Sequence, residues 1–169
     1  FYQMEEWRNG IEPVDTAIEI AKRQTVEKFI RENENIRIEN ERRRRLNEDG
    51  GEIVNQETGE RRVLAILEEI ESPERMWPDE LNENWYRLLN VFYYELEDFG
   101  SVIEVLRTMI ELWPKRDYFT QLSGIYGQQG NETAQLSLYQ TAHEAGWLER
   151  GTELVTLSQL LLGADIPIQ

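Results

Sequence analysis

Between Tyr86 and Ala142 the apolar positions fall on two helical stripes that recur. Tyr86, Leu89 and Tyr93 stand at i, i+3 and i+7, one face of an α-helix. Val102, Leu106 and Met109 make a second stripe, and the polar stretch around Glu97 and Asp98 separates the two. Displaced by 33 residues, the pattern returns. Phe119, Leu122 and Tyr126 replace Tyr86, Leu89 and Tyr93; Ser123 replaces Asn90, and Gly130 replaces Glu97. Tyr139 and Ala142 then replace Leu106 and Met109. Two amphipathic helices joined by a short turn form a helical hairpin, and a period of this length stacks such hairpins. Ser123 lets a neighbouring helix approach closely, and Gly130 suits the positive φ that closes a helix. An ordinary helical bundle with coincidental spacing is the competing reading.

Two partial repeats flank this pair. Leu154, Leu157, Ser158 and Leu161 predict a first helix with no partner after it. In "FYQMEEWRNGIEPVDTAIEIAK", Phe1 aligns with Tyr93 and Trp7 with Phe99. Gly10, Val14 and Ala17 there align with Val102, Leu106 and Met109. That alignment predicts the end of one helix followed by a second. Both ends break inside a repeat, and Leu160, Leu161 and Leu162 are no polar cap. The chain therefore reads as a piece of a longer array: residues 1–24 a partial repeat, 25–82 an insertion, 83–169 repeats with the last incomplete.

From about Thr25 to Glu80 the repeat is lost. "VEKFIRENENIRIENERRRRLNED" carries only a short apolar stripe, Val26, Phe29 and Ile30, and predicts a few more turns of the preceding helix. Ile53 and Val54, a Gln-Glu-Thr-Gly turn, then Val63 and Leu64 fit a β-hairpin, although Val63 to Ile70 fits a helix equally well. "SPERMWPDELNEN" has two prolines and reads as a loop into the next repeat at Asn84. Insertions in repeat proteins lie on one face, often the binding face; a solvated excursion with no role is the other reading.

Composition narrows the function more than it names it. The 169 residues suffice for one domain, and 40% hydrophobic content argues for a folded one. A formal charge of −15 disfavours nucleic acid and anionic membranes as general partners. The absence of cysteine excludes disulfides, thiolate metal sites and a cysteine nucleophile, and no apolar run is long enough to span a bilayer. Arg42 to Arg45 is the one basic cluster; acidic neighbours at Glu39, Glu41, Glu48 and Asp49 point to a solvated helix face or internal ion pairs. The single histidine, His143, falls near the end of a second helix, where a cation suits the helix dipole. Abundant carboxylates make any acidic pair uninformative. No phosphate loop, nucleophile elbow or zinc-helix motif is present, so the reading is non-enzymatic, without a cofactor or metal.

The repeat resembles the tetratricopeptide family, with Pro114 in "ELWPKRDYFTQLSGIYGQQG" in the place of that family's closing proline. That segment, the Asn-Trp start of "NWYRLLNVFYYELEDFG" and the ending "LSQLLLGADIPIQ" are similar to one bacterial subgroup. Members of that subgroup are typically encoded beside TonB, ExbB and ExbD components of energised outer-membrane uptake. "AIEIAKRQ" resembles the segment that in the subgroup leads almost directly into Asn-Trp; here the insertion intervenes. The resemblance covers residues 1 to about 24 and about 83 to 169. It implies a right-handed α-solenoid of tetratricopeptide hairpins and a periplasmic scaffold for protein partners, possibly including TonB-, ExbB- or ExbD-type components. In that family the first helix of each repeat lines a concave groove. By register the groove residues are Asn84, Arg87, Val91, Tyr94 and Glu95, then Asp117, Thr120, Gly124, Gly127 and Gln128. The alternative is a structural envelope subunit that self-associates through its broken ends and insertion.

Overall fold

The structure, a computed structural model, describes residues 2–148 and 151–163. The alignment of Phe1 with Tyr93 and the ending at 166–169 lie outside them. The described chain is mainly α-helical, with seven helices and one small two-stranded sheet. It separates into two units, Phe1–Asp15 with Asn82–Gln169, and Thr16–Leu81. Helix α1, Tyr2–Glu48, contributes residues to both.

In the first unit, α3 (Glu83–Glu95), α4 (Phe99–Leu112), α5 (Arg116–Gln128), α6 (Glu132–Glu144) and α7 (Gly151–Gly163) follow one another. Each packs on the next. The periodicity seen in the sequence reappears as geometry. Glu97 and Gly130, one period apart, both take positive φ, at 57° and 66°. The residues after them cap the next helices: Asp98 Oδ1 accepts from the Ser101 amide at 3.2 Å, and Asn131 Oδ1 from the Ala134 amide at 3.1 Å. Satisfying these otherwise orphaned donors fixes where α4 and α6 begin. The stripes then meet. Leu89 is 4% exposed and Leu122 1%, and Tyr86, Phe119, Leu106, Met109, Tyr139 and Ala142 are all buried. Phe119 and Tyr139 pack edge to face at 5.1 Å.

The N-terminal segment departs from expectation. Instead of one helix ending and another beginning, α1 runs unbroken from Tyr2, with Pro13 inside it. The turn that divides α3 from α4 depends on a positive-φ residue followed by a side-chain cap, and Gly10 does not have positive φ. Gly10 instead faces the ring of Phe92, where an added Cβ would stand 2.9 Å from the ring edge. Trp7 lies beside the same ring at 5.6 Å.

The second unit is organised by α1, which runs on to Glu48, well beyond the few turns expected. After Gly50 and Gly51, strand β1 (Glu52–Ile53) pairs antiparallel with β2 (Arg61–Arg62). The hairpin is real but its second strand ends before Val63 and Leu64. The apolar run from Val63 is neither strand nor helix. It returns along α1 as an extended segment, held by three asparagines. Asn47, Asn40 and Asn33 each donate Nδ2 to the carbonyl of Leu64, Leu67 and Ile70, at 2.9 Å in every case. Each Oδ1 accepts the amide of the same residue, at 2.8, 2.7 and 2.8 Å. The prolines of the following stretch sit in helical turns rather than a loop: a 3₁₀ turn (Pro73–Met76) and the one-turn α2 (Trp77–Glu80).

Lys28 pairs with Glu80, and Lys22 lies 5.6 Å from the Trp77 ring centroid, so the two ends of the 25–80 segment lie side by side. A short linker can therefore replace residues 25–80. The shortened chain is expected to keep a helical circular-dichroism spectrum and a cooperative melt, because the caps and buried stripes of α3–α6 lie outside the deletion. Loss of cooperative melting would contradict this.

Candidate partner-binding cleft

Helices α3 and α5 expose one face each, and all ten sequence-predicted groove residues are exposed. Four of them, Tyr94, Thr120, Gly124 and Gln128, line a single cleft of about 180 Å³. Asn90, Gln121, Ile125 and Val102 complete its walls. Helical spacing explains the convergence: Thr120, Gly124 and Gln128 are successive i, i+4 positions of α5. Gly124 leaves the floor open, since a Cβ there would meet nothing within 4 Å. Tyr94 stands at the edge, its ring 5.8 Å from Phe99 and nearly perpendicular to it. Asn90 donates Nδ2 to Gln121 Oε1 at 3.2 Å, while its Oδ1 is buried and has no hydrogen-bond partner among the described residues. A buried acceptor left unpaired is costly.

The other predicted residues lie elsewhere. Asn84, Val91, Glu95 and Asp117 are exposed on α3 and α5 but do not line the cleft. Gly127 faces α6, where an added Cβ would stand 3.2 Å from Gln135 Nε2. Arg87 is tied down within the protein. Its Nη2 donates to Glu83 Oε1 at 2.9 Å, its Nε to Tyr118 Oη at 3.0 Å, and its guanidinium lies 5.6 Å from the Tyr118 ring. Glu83 also accepts from Lys115 Nζ at 2.7 Å and from the Tyr118 hydroxyl. The arginine is thus part of a clasp between α3 and α5, with its side chain still about half exposed. Asn90 was missed because its register partner, Ser123, marks a packing position; the amide in place of a small residue was the available signal.

Electrostatics around the clasp give a pH dependence. The Lys115 ammonium, then Arg87, hold the Glu83 carboxyl below its usual 4.5. On α1, hydrogen bonds from Arg42 and Arg43 pull Glu39 from 4.5 down to about 2. A carboxylate whose pKa is depressed by folding stabilises above the unfolded value and loses that contribution as pH falls through the folded one. The melting temperature is therefore expected to drop as pH falls from 4.5 towards 2, and Glu39→Gln to flatten that drop. An identical acid profile for the variant would contradict the assignment.

The remaining chemistry is sparse. Arg42 and Arg43 pair with Glu39, and Arg45 with Glu41. His143 is exposed in the last turn of α6. Among the described residues no group of three or more acidic, histidine or cysteine side chains is arranged to hold a metal, and no helix is long and apolar enough to cross a membrane. No protein-family model, no curated protein and no solved structure matches the chain.

Proposed function

We propose that the protein is a non-enzymatic scaffold of the tetratricopeptide type, a stretch of right-handed α-solenoid that holds a protein partner against α3 and α5. The observation that carries this reading is the cleft. Two helices one period apart present a shared, exposed face, with the Asn90 amide in its wall and an aromatic rim at Tyr94. Such a face suits a peptide or helix laid across it, with aromatics giving area and amides giving selection. Glu95 and Asp117 on the same helices, in a chain of charge −15, favour a partner with basic character. The subgroup resemblance supports reading this scaffold as periplasmic, beside TonB-linked uptake components.

Titrating the chain with purified periplasmic segments of TonB and ExbD tests the assignment. Saturable binding that weakens as salt rises is expected. No binding to either segment removes the uptake assignment and leaves the cleft to be tested with other partners. A second reading, self-association, draws on exposed Leu154, Val155 and Leu162 of α7; a solution mass that rises with concentration would favour it.

A further inference from the structure

The asparagine row on α1 does more than pin a loop. Asn33, Asn40 and Asn47 recur every seven residues, about 10.5 Å along a helix and nearly the same rotational position. Leu64, Leu67 and Ile70 recur every three residues, about 9.3 Å in a polyproline-II-type chain and about 10 Å in a strand. The two spacings are close enough for three successive contacts in register. Each contact uses the whole primary amide, donor and acceptor, against both polar groups of one backbone residue. That pairing reads an extended main chain and ignores its side chains.

The occupant's side chains are only partly covered. Ile66 and Leu67 are 45% and 37% exposed, and Leu64 and Ile70 are half-buried, so none of its apolar side chains is locked in a core. Asn33 and Asn40, by contrast, are 7% and 5% exposed beneath it. Uncovered, their amides are satisfied by water; covered, they accept only a group with a matched donor and acceptor. Side-chain selection comes from Arg37, whose Nη2 meets Glu69 at 2.9 Å, just before the clamped Ile70. Arg43 adds a further backbone contact, donating to the Ala65 carbonyl at 2.7 Å.

We propose that the Asn33–Asn40–Asn47 row is a binding surface for an extended peptide, and that residues 64–70 are its tethered occupant, displaced by an extended segment of a partner protein. The partner segment lacks proline at the three clamped positions and carries a carboxylate immediately before the residue held by Asn33. This surface belongs to the second unit and is independent of the α3–α5 cleft reading.

The tether keeps the internal occupant at an effective concentration on the order of millimolar, so the intact protein masks the surface. Leu67→Pro removes the amide that Asn40 accepts and disfavours the internal occupant. A fluorescent synthetic peptide of sequence RVLAILEEIES, residues 62–72, is titrated by anisotropy against the full-length wild type and Leu67→Pro. Binding to the variant but not to the wild type is expected, with at least a tenfold loss when Asn40→Ala is added and a several-fold loss when the peptide's glutamate at position 69 is changed to lysine. No binding to a Leu67→Pro protein that keeps the wild-type helical signal overturns the proposal. Hydrogen exchange of the wild type is a second test that needs no variant. The amides of Leu64, Leu67 and Ile70 are expected to exchange together and at least tenfold faster than α1 amides between 33 and 47. Exchange of the segment only with the unfolding of α1 overturns the proposal as well.

Discussion

Leu122→Ala is expected to lower the free energy of unfolding by about 2–5 kcal/mol, the range for truncating a fully buried leucine in a core that cannot collapse around the gap. Leu122 is 1% exposed, and α5, which carries it, packs against both α4 and α6. Its neighbours on the same face, Phe119 and Tyr126, are buried too, so a cavity there has rigid aromatic walls. Chemical denaturation reads the loss directly. A change below about half a kilocalorie, typical of surface positions, would mean that the recurring apolar stripe does not form the core.

Gly51→Ala is expected to be the most damaging small change in the second unit. Gly51 has φ of +87°, and an added Cβ would stand 2.4 Å from the Arg62 carbonyl oxygen. Its amide donates to the Leu46 carbonyl at 2.8 Å, closing the end of α1. The backbone conformation alone costs a non-glycine residue about 1–3 kcal/mol, and the clash adds to it by displacing Arg62, two residues before the clamped Leu64. Gly59 is the control, with φ of +68° and nothing within 4 Å of an added Cβ. Gly51→Ala should therefore cost clearly more than Gly59→Ala in denaturation. Equal losses would show that Arg62 yields without penalty and that the hairpin does not hold the extended segment in register.

What was legible in the sequence is what apolar periodicity and turn chemistry encode. Tyr86, Leu89, Phe119 and Leu122 are buried as their spacing requires, and the turns at Glu97 and Gly130 fall where the polar breaks stand. The second unit was legible only in its hairpin and the continuation of the first helix, because its organising residues are polar. Asparagine is an indifferent helix former and adds nothing to an apolar stripe, so Asn33, Asn40 and Asn47 did not extend the predicted helix, although their seven-residue interval was visible. The run Val63–Ile70 was ambiguous for a related reason: its main chain is satisfied by side chains far away in sequence, and no local pattern records that. Arg87 shows the same limit at the candidate site. Its partners Glu83 and Tyr118 come from two helices, and only the fold brings them together.

The claim that the α3–α5 cleft is where a partner binds is tested most directly by Gly124→Arg. The position lies inside α5 and lines the cleft, and an added Cβ there meets nothing within 4 Å, so a long side chain starts from open space. Replacing a helix-interior glycine should leave stability unchanged or raise it by up to about 1 kcal/mol. The measurement is a binding titration of wild type and Gly124→Arg against the same partner segment, with a thermal melt of each as control. The cleft reading predicts an unchanged or higher melting temperature and an affinity at least about tenfold weaker, equivalent to about 1.4 kcal/mol. Equal affinity in a variant that melts like the wild type would contradict it.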